Sequence, residues 1–122
     1  MIDFVIPVLL ILILIILLSP FHLYLVVGDS MLPTLKNGQI VLCKKVSRRD
    51  YLVNGQIYVY HEPTNSRAWV VKRLSYQYCA KGKYYFIGDN TFNSRDSRNY
   101  GLVDRKFIIA RVIYFKETKK GG

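Results

Sequence analysis

Three short stretches carry the residue types that covalent chemistry needs. In "GDSMLPTL" Ser30 stands in a turn just after a long apolar run, and in "AWVVKRL" Lys72 sits mid-strand. "GDNTFNSRDSRNYG" (88–101) interleaves Asp89, Asn90, Ser94, Asp96 and Arg98. A serine hydroxyl becomes a nucleophile only beside a base that takes its proton. Without one, a serine in a turn serves to satisfy local backbone groups. The histidines, His22 and His61, are the first candidates for a base. His22 lies in the apolar approach and His61 ends a strand-like run beside Glu62 and Pro63; neither comes with a recognisable partner.

Lysine is the alternative base. Strand residues alternate between faces, so Val70, Lys72 and Leu74 share one face while Val71 and Arg73 take the other, where Arg73 can reach solvent. Apolar flanks desolvate the Lys72 ammonium and lower its pKa from about 10.4, at about 1.36 kcal/mol per unit. A neutral amine accepts a hydroxyl proton, whereas a guanidinium stays protonated. On the strand alone, an edge or snorkelling lysine is the plainer reading and stays open. The 88–101 stretch adds Asp and Arg more closely interleaved than a generic polar loop needs.

The scaffold for these residues is small. The chain has 122 residues, with 18 Lys and Arg against 8 Asp and Glu, a net charge of +10. No Asp, Glu, Lys or Arg occurs from Phe4 to Gly28. As a helix, Ile2 to Leu18 would cover about 26 Å, short of a hydrocarbon core of about 30 Å. Continuation through Pro20 to Leu25 would close that gap, so one N-terminal membrane-spanning helix is expected. A cleaved signal fits less well, because Asp3 replaces a basic start and no small-x-small pattern follows. The flanking charges balance and leave the topology open.

The basic residues are spread along the soluble part. They read as a solvated surface, or as weak attraction to anionic lipid headgroups near the anchor. No nucleic-acid motif accompanies them, and nucleic acid is not an expected partner. Cys43 and Cys79 match no metal-ligand spacing, and whether they pair is open. After Pro20 the chain reads as strands: 21–27, 39–45, 56–62, 68–74, 83–89 and 106–117, rich in β-branched and aromatic residues. Asn37-Gly38 and Asn54-Gly55 are turn dipeptides. No long helical period follows residue 28. The expected architecture is an anchor and approach over 1–25, then a mainly β, antiparallel domain over 26–122.

Together "SMLPTL" (30–35), "VVKRL" (70–74) and "GDNTFNSRDSRNYG" resemble the signature boxes of type I signal peptidases of the bacterial and organellar kind. The likeness runs from about Val27 to Ile113, and its strength lies in the three boxes standing in order. The lysine matters, because the family's archaeal and endoplasmic-reticulum branch has His there. The resemblance implies a coiled antiparallel β-sheet domain that cleaves N-terminal signal peptides from exported preproteins, with a Ser-Lys dyad. Ser30 corresponds to the nucleophile, Lys72 to the general base and Ser94 to the hydroxyl that orients the lysine. Asp96 and Arg98 match a supporting ion pair, Asp89 and Asn90 belong to the same box, and Met31 falls near the substrate cleft.

The resemblance also implies no metal and no cofactor, preprotein signal peptides and membrane lipids as partners, and a monomer. It places the chain in a cell membrane or organellar inner membrane, with the catalytic domain on the extracytoplasmic side. Departures are Gln39 and Gln56, where an Asp often follows the turn Gly, and only 13 residues between Leu74 and Gly88, which leaves out a large second domain. Gly28 supplies no side-chain oxyanion donor, leaving the Ser30 N–H as the obvious one. Rival readings are a dedicated conjugation or pilus-type peptidase of the same family and a non-catalytic membrane-anchored β module. A self-cleaving LexA-type repressor is disfavoured, because an apolar segment stands where its DNA-binding domain would be.

Overall fold

In the computed structural model, which describes residues 2–117, the apolar run forms helix α1 (Ile2–Leu18, 17 residues). Met1 of the expected anchor and residues 118–122 of the expected β domain lie outside the described residues. The helix ends where Pro20 disfavours helical geometry for Ser19 and brings no N–H of its own. Its last turn closes with Ser19 N–H on the Ile16 carbonyl at 3.3 Å. The expected continuation to Leu25 is not helical: Phe21–Leu25 is strand β1. The sheet thus begins inside the segment assigned to anchor and approach. At 17 residues α1 is about 26 Å long, and among the described residues no helix is long and apolar enough to cross a membrane. None of its residues is buried.

The remaining strands are β2 (Ile40–Lys45), β3 (Ile57–Glu62), β4 (Asn65–Leu74), β5 (Lys83–Tyr84), β6 (Phe86–Ile87), β7 (Val103–Asp104) and β8 (Ile108–Tyr114). Six of the eight strands form one antiparallel sheet in the order β1-β2-β8-β3-β4-β6, and β5 pairs with β7 beside it. Register shifts at Leu42/Cys43, Val59/Tyr60 and His61/Glu62 bend the sheet, because each bulge adds local twist. Both faces are covered. One packs Val26, Met31, Leu35, Val41, Cys43, Ile57, Val59, Ala110 and Val112. The other packs Leu52, Tyr58, Tyr60, Leu74, Phe86, Val103 and Ile108. Central β3 feeds both faces, and its first four residues are all buried.

The expected mainly β, antiparallel class holds. Its boundaries shift where non-local pairing decides them. The 83–89 run is split between two sheets, since β5 pairs with β7 while β6 pairs with β4. The 106–117 run opens as a 3-10 turn over Arg105–Phe107 before β8 begins. One helical turn, α2 (Ser97–Tyr100), forms inside the polar stretch. A periodicity search passes over so short an element. Its signal was its cap, Asp96 with Asn99 three residues on, and both reciprocal bonds of the capping box form.

Candidate active site

Ser30 sits on the turn that leaves the sheet after β1. Two apolar side chains pin that turn: Met31 and Leu35 are buried in the core, with Leu35 N–H on the Met31 carbonyl at 2.9 Å. From the other side, residues 88–90 are laced onto it. Asn90 N–H donates to the Ser30 carbonyl at 2.9 Å, and the Asn90 side-chain amide donates to the Asp29 carbonyl at 3.0 Å. Asp89 N–H meets Met31 Sδ at 3.5 Å. Met31, expected near the cleft, therefore lies in the core and supports the turn.

Lys72 lies on β4 opposite Tyr58 of β3, on the face whose core is Tyr58, Tyr60, Leu74 and Phe86. It is only 5% exposed, and its Nζ donates to Ser30 Oγ at 2.7 Å. Burial lowers its pKa; the negative charges of Asp96 and Glu62 oppose this without cancelling it. The two residues are 42 apart in sequence, and the sheet brings them into contact. A neutral amine at this distance is placed to take the hydroxyl proton.

The polar stretch wraps this pair. Asp96 is wholly buried and caps α2. One carboxylate oxygen accepts from Arg98 N–H and Arg98 Nε, both at 3.0 Å. The other accepts from Gly88 N–H at 2.9 Å, Ser94 Oγ at 2.8 Å and an Arg98 terminal nitrogen at 2.9 Å. Burial alone would raise the Asp96 pKa, but these donors outweigh it and bring it to about 2. The Ser94 hydroxyl thus donates to Asp96. Gly88 lies against both Ser94 and the turn: a Cβ there would sit 2.1 Å from Ser94 Oγ and 2.6 Å from the Ser30 carbonyl oxygen. Only a glycine lets the two loops close this tightly.

Asp89 faces the other side of the turn, where Arg73 binds it with both Nε at 2.8 Å and a terminal nitrogen at 2.6 Å. The Thr34 hydroxyl completes its shell. Arg73, expected to reach solvent, is therefore half-buried and joins β4 to the 88–90 segment.

Sequence reasoning missed a further connection. Glu62 at the end of β3 accepts from Arg95 Nε at 2.9 Å and from the Thr64 hydroxyl at 2.6 Å. Arg95 in turn lies 5.7 Å from the centre of the Tyr100 ring, and the Tyr100 and Tyr60 hydroxyls share a hydrogen bond. The available signal was a carboxylate at the tip of a strand hairpin, which a turn explains equally well. His61 packs edge-on against Trp69 at 5.1 Å, and His22 lies on exposed β1. Cys43 and Cys79 are free thiols; burial pushes the Cys43 pKa up to about 12. Among the described residues no group of His, Cys, Asp or Glu is arranged to hold a metal.

The family described as signal peptidase, peptidase S26, matches residues 1–76 and 74–115. The chain belongs to this family. Relatives within reach of peptidase S26 include mitochondrial inner membrane protease subunit 1 of Homo sapiens, 29% identical over 71% of this chain and 64% of that protein. The subunit 1 of Schizosaccharomyces pombe is 31% identical over 76% and 71% respectively. Mitochondrial ATP-independent inner membrane protease subunit 1b of Arabidopsis thaliana is 32% identical over 71% and 64%. The chain spans a little under two thirds of the human and plant relatives.

Proposed function

We propose that this chain is a membrane-attached serine endopeptidase that removes N-terminal signal peptides from preproteins, with Ser30 as nucleophile and Lys72 as base. The observation that carries the reading is the 2.7 Å contact between Lys72 Nζ and Ser30 Oγ, made by a lysine whose burial lowers its pKa. Ser30 Oγ attacks the scissile carbonyl as neutral Lys72 takes its proton. Lys72 then passes that proton to the leaving amine, and the acyl group stays on Ser30. Water, deprotonated by the same amine, releases the acid and restores the hydroxyl. The Ser30 N–H makes no hydrogen bond among the described residues, so it is free to donate to the developing oxyanion. Ser94 is assigned the orienting of the lysine: its hydroxyl donates to Asp96, which Arg98 in turn pairs, and its oxygen is left to accept from Nζ.

Membrane attachment rests on α1. A helix apolar all round must be covered by something, and none of the described residues buries it. Strand β1 extends the apolar surface toward Ser30, since Phe21, Leu23, Leu25 and Val27 are all exposed. The names of the relatives support an organellar inner membrane and a partner subunit, in place of the monomer expected from sequence.

Ser30→Ala and Lys72→Arg test the dyad. Each should abolish cleavage of a preprotein while circular dichroism stays unchanged, because a guanidinium cannot act as the base. Substantial turnover by Lys72→Arg overturns the assignment.

A further inference from the structure

A cavity of about 210 Å³ opens over β2 and β8, lined by Lys44, Lys45, Arg111, Asp50, Tyr51 and Tyr58. It is smaller than the roughly 300–1,000 Å³ of sites for drug-sized molecules, and its chemistry is cationic. Lys44 and Arg111 are directly opposed on β2 and β8. Like charges facing each other across a strand pair destabilise it, and neither residue has an ion pair among the described residues. The one acid in the lining, Asp50, accepts Ser47 N–H at 2.7 Å and is drawn to Arg105 and Lys44 alike. Three cations share that single carboxylate, and the cavity keeps an excess of positive charge.

Its position indicates where a balancing anion comes from. Lys45 N–H donates to the Pro20 carbonyl at 2.7 Å, two residues beyond the end of α1. In the same row of the sheet Phe21 pairs with Lys44, Lys44 with Arg111, and Arg111 with Tyr58. The cation pair is thus flanked on its outer side by an exposed phenylalanine and the root of an exposed apolar helix. A ligand with a phosphate head and apolar tails matches both halves.

We propose that this cavity binds the phosphate headgroup of an anionic phospholipid, with the acyl chains lying over Phe21 toward α1. The lipid as source rests on the membrane attachment proposed above; the excess of positive charge does not. The headgroup takes the place of a counter-charge between Lys44 and Arg111, and so fixes the depth and tilt of the β domain at the surface.

The test uses the purified full chain and co-sedimentation with two kinds of vesicle: phosphatidylcholine alone, and phosphatidylcholine with about one fifth phosphatidylglycerol. The wild type should prefer the anionic vesicles by at least about tenfold. Lys44→Gln with Arg111→Gln should remove most of that preference. Arg48→Gln with Arg49→Gln is the comparison, because it deletes the same charge at the same end of the molecule but outside the cavity, and should cost about twofold at most. Equal losses in the two double variants, or a retained preference without Lys44 and Arg111, overturn the proposal. Inorganic phosphate at about 20 mM and matched ionic strength should leave the preference intact; if it abolishes it, the cavity takes free phosphate and the lipid assignment is wrong. Binding to phosphatidylcholine alone reports on α1, so a failure of membrane attachment is separable from a failure of the cavity. Circular dichroism of both double variants confirms that they are folded.

Discussion

Replacing Asp96 with Asn removes one charge and almost no volume, yet the structure makes it the most consequential polar change outside the Ser30–Lys72 pair. Five donor contacts converge on the wholly buried carboxylate. In Asp96→Asn, an amide nitrogen replaces one oxygen and turns its own donors toward donors. Breaking a buried charge arrangement of this kind costs about 3–5 kcal/mol at pH 7. A distinguishable share of that is ionisation. Holding the carboxyl at about 2 against its ordinary 3.8 contributes about 2 kcal/mol at neutral pH, at 1.36 kcal/mol per pKa unit. Because the folded pKa is depressed, this share is complete above the unfolded value and is lost as pH falls through the folded one. Urea unfolding followed by circular dichroism should therefore show the gap between wild type and variant narrowing by about 1 kcal/mol between pH 7 and pH 3. A gap of equal size at both pH values would refute the reasoning, because the donors would then be stabilising a group whose charge does not matter.

Three further outcomes follow from the same site. The Ser97 hydroxyl is buried and accepts Phe86 N–H at 2.9 Å, so Ser97→Ala should cost about 1–3 kcal/mol in unfolding free energy and little turnover; Ser94→Ala should do the reverse, slowing single-turnover cleavage by roughly 10² to 10³. The Glu62 charge holds the Lys72 pKa up, so Glu62→Gln should lower it further and move the acid limb of the activity–pH profile to lower pH; a limb that stays in place rules out coupling between the two.

Neither Ser30 nor Lys72 is singled out by its own neighbourhood, since a serine in a turn and a lysine on an apolar strand face each have a plainer reading. The three boxes standing in order are what made both candidates. The buried lysine and the 2.7 Å contact that joins them could only come from the sheet. The Arg73–Asp89 and Arg95–Glu62 pairs escaped for the same reason: each joins residues at least 16 apart, and nothing in either neighbourhood selects the partner. Met31 could be placed only by the resemblance, because an apolar residue beside a nucleophile fits a cleft and a core equally well; its burial follows from the turn needing an anchor. The helix boundary failed in an instructive way. Hydropathy is continuous from Phe4 past Leu25, so composition alone extends the helix, while the Ser19-Pro20 pair stops it on stereochemical grounds.

The cross-strand row from β1 to β4 orders these observations. It runs Phe21, Lys44, Arg111, Tyr58, Lys72, from an exposed edge to a lysine only 5% exposed. Three strand spacings, about 14 Å, separate Lys44 from Lys72, and the cost of keeping a cation charged rises along that path. At the exposed end an ammonium remains hydrated and charged, which suits it to a headgroup. Half-buried Arg111 is the cation that cannot escape by losing its proton, so at that depth its charge calls for a counter-ion. At the buried end a guanidinium would remain charged and inert, whereas an ammonium relieves its desolvation by releasing the proton. In the proposed dyad the base is a lysine because burial can free its amine of the proton, and the same sheet that buries it brings Nζ to 2.7 Å from Ser30 Oγ.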